Sequence, residues 1–429
     1  MIVRNKEAPE GKKNQFSICS QRDGLLRGST NRLEGNIMEK TLFLKNNPLV
    51  SFKWSSDGCF SVTKIHEKDF SLWPHILQKN HDQQLIKEWL SNRITPTGKK
   101  ILKRIEEATK AEGILGKVAL TKGLSLNDSF WVGDDSERFE DVNLYNNSFS
   151  EEVAELAFSA DTRKIISFAS RSPEYASEGA MRKCWIKRNN AIFLMKIDDW
   201  HNTGNYNQVF AEYFAMQFAE AFGINHVEYF LENRINHEGK EEIVTLCPIF
   251  TSTEHSFLSA KNFFIYNGIS ENDLLPSWLE SPIYHEKLMD NFGRKAYEDM
   301  MIFDAIIGNQ DRHLSNFGYM YNSNTCQLET PAPLYDHGFS LLSGVIGREE
   351  MSLEECINNS DRGAFLDFSK QIKYFIRERH YDMVANLKKF ELKQHPILKV
   401  SDETIEKIQE YTSFRINECL EYIEKISTS

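Results

Sequence analysis

The loop GNQDRHLSNFG, residues 308–318, comes directly off an apolar stripe, and it restricts the possible folds more than any other part of the chain. Leu288, Phe292, Ala296, Met300, Phe303 and Ile307 recur at spacings of four and three. That is the buried face of an amphipathic helix ending near Gly308. The loop therefore leaves a packed helix. After it, Phe317 to Tyr321 reads as a short strand, Asn322-Ser323-Asn324 as a turn, and Cys326 to Thr330 as a returning strand. The chain then runs into PLYDHGFSLL from residue 333. A hairpin between Asn316 and Asp336 can bring both side chains to one point.

Asp311, Asn316 five residues later, and Asp336 just before Gly338 are the residue types that a phosphoryl-transfer site needs. One carboxylate orients a hydroxyl nucleophile, while an amide oxygen and a second carboxylate hold the magnesium that bridges nucleotide phosphates. Taken singly, an Asp or Asn more often caps a turn. The ordered set, with the hairpin between its members, favours the chemical reading and implies ATP and Mg2+ as cofactors.

Such a site also needs an upstream half that grips the nucleotide. Met181 to Lys187, Arg188-Asn189-Asn190 and Ala191 to Ile197 read as a strand, a turn and a second strand, AIFLMKI, with one lysine, Lys196, in an apolar run. Residues 207–223, NQVFAEYFAMQFAEAFG, have helical spacing through Val209, Tyr213, Met216 and Phe218, and they stop at Gly223. Glu212 lies about one turn from the start. A strand lysine paired with a glutamate on the next helix is the arrangement that fixes the lysine against phosphate groups. A strand-end lysine and a helix-surface glutamate are the plainer alternatives. Val227 to Leu231 and Glu242 to Phe250 read as two further strands joined by the polar NRINHEGK.

GNQDRHLSNFG followed by PAPLYDHGFSLL resembles the C-terminal kinase core of the HipA-like family of bacterial serine/threonine kinases, which includes the CtkA-type kinases. The resemblance implies a two-lobed α+β protein-kinase-like fold, with a small β-rich N-lobe, a mostly helical C-lobe and an accessory region before them. It makes Asp311 the catalytic aspartate, Asn316 and Asp336 the metal ligands, and His313 the loop histidine in a support role. In ordinary protein kinases that histidine lies two residues before the aspartate. The reversed order is shared with phosphoinositide kinases, so the loop leaves protein and lipid acceptors open. Ser177-Glu178-Gly179-Ala180 is similar to the family's phosphate loop, whose backbone N–H groups can bind phosphate without several glycines. Cys247 to Phe250, with Cys247 and Ile249 among them, is the expected hinge against adenine.

At 429 residues the chain has room for two or three domains or lobes. The expected division is a flexible extension over 1–37, an accessory subdomain over 38–150 with a helical section broken at Pro96, an N-lobe over 151–250 and a C-lobe over 251–429. Residues 351–429, including FLDFSKQIKYFIRERHYDMVANLKKF and DETIEKIQEYTSFRINECLEYIEKI, have helical periodicity. A formal charge of -11 with scattered Lys and Arg argues against direct nucleic-acid binding. Seven cysteines without a CxxC pair suit reduced thiols, and no stretch is long and apolar enough to span a membrane. The expectation is a cytoplasmic protein, with secretion by another route left open. The family resemblance implies an ATP- and Mg-dependent serine/threonine kinase acting on a protein substrate and phosphorylating itself near Ser172 or Ser177. It also implies a regulatory, toxin or effector role, with a small antitoxin-like partner. A phosphoinositide-type lipid kinase and a nucleotide-binding pseudokinase are the alternatives.

Overall fold

The computed structural model describes residues 37–56, 58–93, 118, 121–146, 182–197, 207–235, 239, 241–274, 281–343, 352–360, 362–363 and 366–428. Ile37–Ser429 forms one compact unit. Its first sheet is built from β1 (Ile37–Leu44), β2 (Asn47–Ser55), β3 (Phe60–Ile65) and β4 (Phe130–Gly133), in the order β3-β2-β1-β4 with antiparallel pairing. Alternation along β1 sends Leu42 and Leu44 into the main core with Phe52, Trp73 and Leu90. Phe43 points to the opposite face, where it stacks on Trp131 with ring centroids 4.9 Å apart. Both faces of this sheet are therefore covered. Helix α1 (Gln83–Arg93) lies against the first face through Ile86 and Leu90.

The second sheet contains β5 (Arg182–Arg188), β6 (Ala191–Ile197), β7 (Phe230–Ile235) and β8 (Glu241–Pro248), in the order β5-β6-β8-β7. Asn189 and Asn190 join β5 to β6 with φ of 50° and 66°, the left-handed pair that a two-residue hairpin requires and that asparagine tolerates. Cys184, Met195, Ile197, Val244 and Leu246 gather on one face of this sheet. The opposite face therefore carries Lys183, Lys196 and Thr245, which are cross-strand neighbours in register. Helix α2 (Gln208–Phe222) starts at an Asn207 cap, whose side chain accepts from the Val209 N–H, and ends at Gly223 with φ 79°.

A third sheet, β9 (His255–Ser259), β10 (Gly318–Asn322) and β11 (Leu328–Pro331), has the order β11-β10-β9. The remaining elements are helical: α3 (Ala260–Tyr266), α4 (Pro282–Phe292), α5 (Arg294–Ile307), α6 (Leu353–Ser360), α7 (Phe368–Phe375), α8 (Tyr381–Lys388) and α9 (Asp402–Ser427). Helix α5 is buried at every residue from Tyr297 to Ile307, with α7 and α9 packed on it. The class is thus mixed α and β, with small antiparallel sheets and helices.

Two expectations differ in detail. The single helix expected through 288–307 is two helices, because Gly293 at φ 93°, ψ 107° turns the chain out of helical geometry between Phe292 and Arg294. The strand expected at Val227 to Leu231 begins instead at Phe230. Val227 gives its N–H to the Leu334 carbonyl at 3.0 Å, and the polar NRI continues along a sheet edge, where half its side chains can stay in water. Of the expected helical section before residue 113, α1 is described and residues 94–117 lie outside the described residues. The six described cysteines are free thiols, and five of them are buried. No described helix is long and apolar enough to cross a membrane.

Gly308 closes α5 at φ 64°, and a Cβ there would lie 2.3 Å from the Tyr411 hydroxyl of α9. Gly223 has a similar φ but open space around its Cβ position. In urea melts, Gly223→Ala should lose only the backbone term of about 1 kcal/mol, whereas Gly308→Ala should lose about 2–4 kcal/mol, because overpacking adds to the strain. Equal losses would contradict this packing.

His75 is buried with its ring edge-on to Tyr321 at 4.6 Å, and burial pushes its pKa down to about 4. An unfolded histidine titrates near 6.5, so between those values the unfolded state binds a proton that the folded state refuses. His75 should therefore make stability fall as the pH drops from 6.5 toward 4, by up to about 1.4 kcal/mol per unit. Denaturation of wild type and His75→Gln at pH 7 and pH 5 checks this. The variant should lose less stability on acidification, and identical slopes would contradict the assignment.

Candidate active site

The loop after α5 is organised from beneath by Arg312, a fully buried guanidinium. Its Nε donates to Asp304 Oδ2 at 2.8 Å and its Nη2 to Asp304 Oδ1 at 3.0 Å, a two-pronged pair with the last turn of α5. Nη1 donates to the carbonyls of Asn316 at 2.6 Å and Tyr335 at 2.7 Å. Nη2 also meets His337 Nδ1 at 3.0 Å. Burial and the neighbouring Arg312 charge push His337 well below its usual pKa, so it is neutral and Nδ1 can accept. A single arginine therefore ties together the end of α5, the loop through Asn316, and the segment 335–337 beyond the hairpin. Burial alone would weaken its charge, but Asp304 outweighs that.

The upper part of the loop is set by amides. Asn309 holds Asp304 Oδ1 through Nδ2 at 3.0 Å and accepts the Asp311 N–H at 3.1 Å. Asn316 Nδ2 donates to the Asp311 carbonyl at 2.8 Å, leaving its Oδ1 without a hydrogen bond among the described residues. Asp311 itself is half-exposed, with Oδ2 4.0 Å from His313 Nε2. Partial burial raises its pKa, with the Asp336 charge adding to the effect and His313 opposing it. His313 Nδ1 accepts the Ser315 N–H at 3.1 Å, which places the ring's proton on Nε2, toward Asp311.

Lys196 and Glu212 are both buried and form an ion pair between β6 and α2. Lys196 Nζ also donates to Asp336 Oδ1 at 2.7 Å. Burial disfavours the lysine's charge, but Asp336 and Glu212 outweigh it and hold its pKa above the usual value. Asp336 is held below the usual carboxylate range, since Lys196, Lys183 and Arg312 overcome its burial. Glu212 moves the other way, raised first by burial and then by the nearby Asp336 charge. Glu212 Oε2 and Thr245 Oγ1 are buried without a hydrogen-bond partner among the described residues. Lys183 stands directly across from Lys196 in the strand register, and its charge acts on Asp311, Glu212 and Asp336 alike.

The expected residues therefore fall into three groups. Lys196 meets both Glu212 and Asp336, and Asp311, His313 and Asn316 share the loop that Arg312 anchors. Cys247 is buried beside Leu194, Met216 and Tyr335, while the Ile249 N–H is engaged by the Ile192 carbonyl at 3.0 Å. Ser172, Ser177, Glu178 and Gly179 lie outside the described residues. Arg312, Asp304, Lys183 and Tyr229 were not assigned a role from the sequence. A buried role for Asp304 was signalled by its place among the apolar residues FDAII, and Lys183 by its register opposite Lys196. Among the described residues, no group of three or more His, Cys, Asp or Glu could hold a metal. The Asp336–Asn316 oxygens suit a magnesium ion that keeps most of its shell as water and phosphate. Asp336 Oδ1 is already occupied by Lys196, which leaves Oδ2 and the Asn316 amide oxygen as donors.

No family model matches the chain. The serine/threonine-protein kinase CtkA of Helicobacter pylori is 28% identical over 165 residues, covering 36% of this chain and 48% of the relative, so the match spans about half of that protein. Among solved structures, the crystal structure of the H. pylori proinflammatory kinase CtkA aligns at 19% identity over 57% of this chain and 95% of the other, with a TM-score of 0.40. The Shewanella oneidensis MR-1 toxin–antitoxin HipA, solved with HipB and operator DNA, aligns at 12% identity over 91% of this chain and 99% of the other, with a TM-score of 0.49. The chain is similar, at low identity, to the HipA-like and CtkA-like kinases.

Asp304→Asn should leave the Arg312 guanidinium buried and unbalanced, at a cost of about 3–5 kcal/mol. Arg312→Lys keeps the charge but loses the two-pronged geometry, and should cost about 2–4 kcal/mol through its unsatisfied buried partners. Chemical denaturation measures both. A loss under 1 kcal/mol in either variant would contradict the anchoring role.

Proposed function

We propose that this chain transfers the γ-phosphate of ATP, in the presence of Mg2+, to serine or threonine hydroxyls of a protein acceptor. The observation that carries the reading is the position of Lys196, held by Glu212 and touching Asp336. A buried lysine placed between a helix glutamate and a metal-binding aspartate is the phosphate-positioning part of a kinase site. In this reading the second sheet and α2 form the smaller of two lobes, and the third sheet with α3 to α9 belongs to the larger. The extension, accessory, N-lobe and C-lobe divisions at 37, 150 and 250 are part of the same proposal.

The chain's own groups then have distinct tasks. Lys196 and Lys183 bind phosphate oxygens from the sheet side. Asp311, exposed enough to meet an acceptor, takes the hydroxyl's hydrogen bond and orients the oxygen for in-line attack. His313 supports Asp311. Asn316 Oδ1 and Asp336 hold the magnesium, which when bound offsets charge on the phosphate oxygens. Cys247 to Ile249 contact the base, through groups other than the Ile249 N–H. Self-phosphorylation at Ser172 or Ser177 would add a dianion beside the phosphate loop and oppose nucleotide binding. A small regulatory protein partner and a cytoplasmic or effector role complete the proposal by analogy with the family.

The test is label transfer from γ-labelled ATP to protein and lipid acceptors, combined with calorimetry using a non-hydrolysable ATP analogue in magnesium and in EDTA. Asp311→Asn should reduce transfer by roughly 10³-fold or more while magnesium-dependent binding stays within a few-fold of wild type. Asp336→Asn should lower transfer and remove most of the magnesium dependence of binding. Equal loss of metal-dependent affinity in both variants, or reversed roles, would contradict the assignment. Label found only in lipid would select the lipid-kinase alternative, and binding without transfer in wild type would select the pseudokinase.

A further inference from the structure

Asp336 has φ 59°, in the left-handed region, which aspartate enters more readily than most residues with a Cβ but still at a cost that its surroundings here offset. Three contacts do so. Lys196 donates to Oδ1 at 2.7 Å, and Arg312 takes the preceding carbonyl, that of Tyr335, at 2.7 Å. The third is the Asp336 backbone N–H, which donates to the Tyr229 hydroxyl at 2.8 Å.

Tyr229 is only 2% exposed, yet it sits in a stretch that faces the site from the other side. Val227 donates to the Leu334 carbonyl at 3.0 Å, and Leu334 donates to the Asn225 carbonyl at 2.9 Å. Residues 225–229 therefore run beside the chain that enters Asp336. The Tyr229 ring meets His337 edge-on at 6.4 Å, so ring and hydroxyl address consecutive residues of one turn. Its own N–H donates to Met216 Sδ at 3.1 Å, on α2 one turn beyond Glu212. Burial, reinforced by the Glu212 charge, keeps the phenol protonated.

We propose that Tyr229 is a positioning residue for the metal-binding aspartate, its hydroxyl holding the Asp336 amide and coupling the direction of that carboxylate to helix α2. This deepens the kinase reading and rests on it. Without the hydroxyl, the Asp336 N–H is a buried donor with no acceptor. The chain can relieve that by leaving the left-handed region, which turns the carboxylate away from Lys196. The cost of an unpaired buried N–H shifts such an equilibrium by about tenfold. A phenylalanine ring fills the same space, so packing on His337 and Cys247 stays.

The experiment uses the full chain as wild type, Tyr229→Phe, Asp336→Asn and the double variant. Binding of a non-hydrolysable ATP analogue is followed by calorimetry across a magnesium series and in EDTA, and amide hydrogen exchange of residues 335–338 is measured without nucleotide. Tyr229→Phe should raise the magnesium needed for half-maximal binding about tenfold, leave the EDTA affinity within about twofold, and speed exchange at 335–338 about tenfold. In the Asp336→Asn background the same change should leave the magnesium dependence unaltered, because the group it positions is gone. Unchanged exchange and magnesium requirement would overturn the proposal, as would equal losses with and without metal. If wild type binds no nucleotide in a magnesium-dependent way, the kinase reading fails, and exchange at 335–338 alone decides whether Tyr229 holds the turn. If Tyr229→Phe does not fold, Met216→Leu, which removes the sulfur that accepts the Tyr229 N–H while keeping an apolar side chain of similar volume, takes its place, and an unchanged magnesium requirement there overturns the proposal.

Discussion

The candidate site depends on one buried cation shared by two carboxylates, Glu212 fully buried and Asp336 partly exposed. Lys196 meets Glu212 from α2 and Asp336 from the segment beyond the third sheet, so a single ammonium joins parts of the chain more than a hundred residues apart. Burying those charges is costly, and a fully buried pair is weak grounds for stability on its own. The arrangement makes more sense as positioning. One positive and two negative charges leave a net negative point, with Glu212 Oε2 lacking a hydrogen-bond partner among the described residues. A second cation is favoured there electrostatically, and Lys183 already contributes to that balance from β5.

Arg312 does for the loop what Lys196 does for the sheet and helix. It converts the end of α5, the Asp311–Asn316 loop and the 335–337 turn into one rigid body, so that Asp311 and Asn316 are presented on a fixed base. The segments flanking β4 add a brace from a third direction. Thr251, just after β8, donates to the Leu126 carbonyl at 2.5 Å, and the Tyr145 hydroxyl donates to the same carbonyl at 2.8 Å. Lys187 on β5 reaches the Tyr145 carbonyl at 2.5 Å, and the Phe257 N–H of β9 reaches the Asn127 carbonyl at 2.7 Å. The segment before residue 146 thus contacts the second sheet, the chain leaving β8, and the third sheet at once. Phe130 and Val132 of β4 join it to the main core, while Leu126 and Leu144 pack with Ile192 of the second sheet.

Much of this was legible in the sequence where a strong local signal existed. The Asn189-Asn190 turn fixed the β5–β6 hairpin, Asn207 and Gly223 bracketed α2, and together these placed Lys196 and Glu212 in reach of one another. The helix before the loop was read as continuous because apolar spacing carries across Gly293, whereas only the backbone angles reveal the break. The strand expected at Val227 shifted because an apolar run cannot say whether it pairs within a sheet or with a distant loop such as Leu334. Arg312 and Tyr229 were missed for a related reason. Their importance comes from long-range partners, and a buried arginine or tyrosine looks like any other until the residues around it are known.

The most direct measurement is a crystal structure of the chain with magnesium and a non-hydrolysable ATP analogue. The account predicts a metal ion bound by the Asn316 amide oxygen and the Asp336 carboxylate, with Lys196 Nζ against phosphate oxygens while still paired with Glu212, and Asp311 facing the terminal phosphate. A nucleotide bound elsewhere, or one whose phosphates and metal leave Lys196, Asn316 and Asp336 untouched, would contradict it.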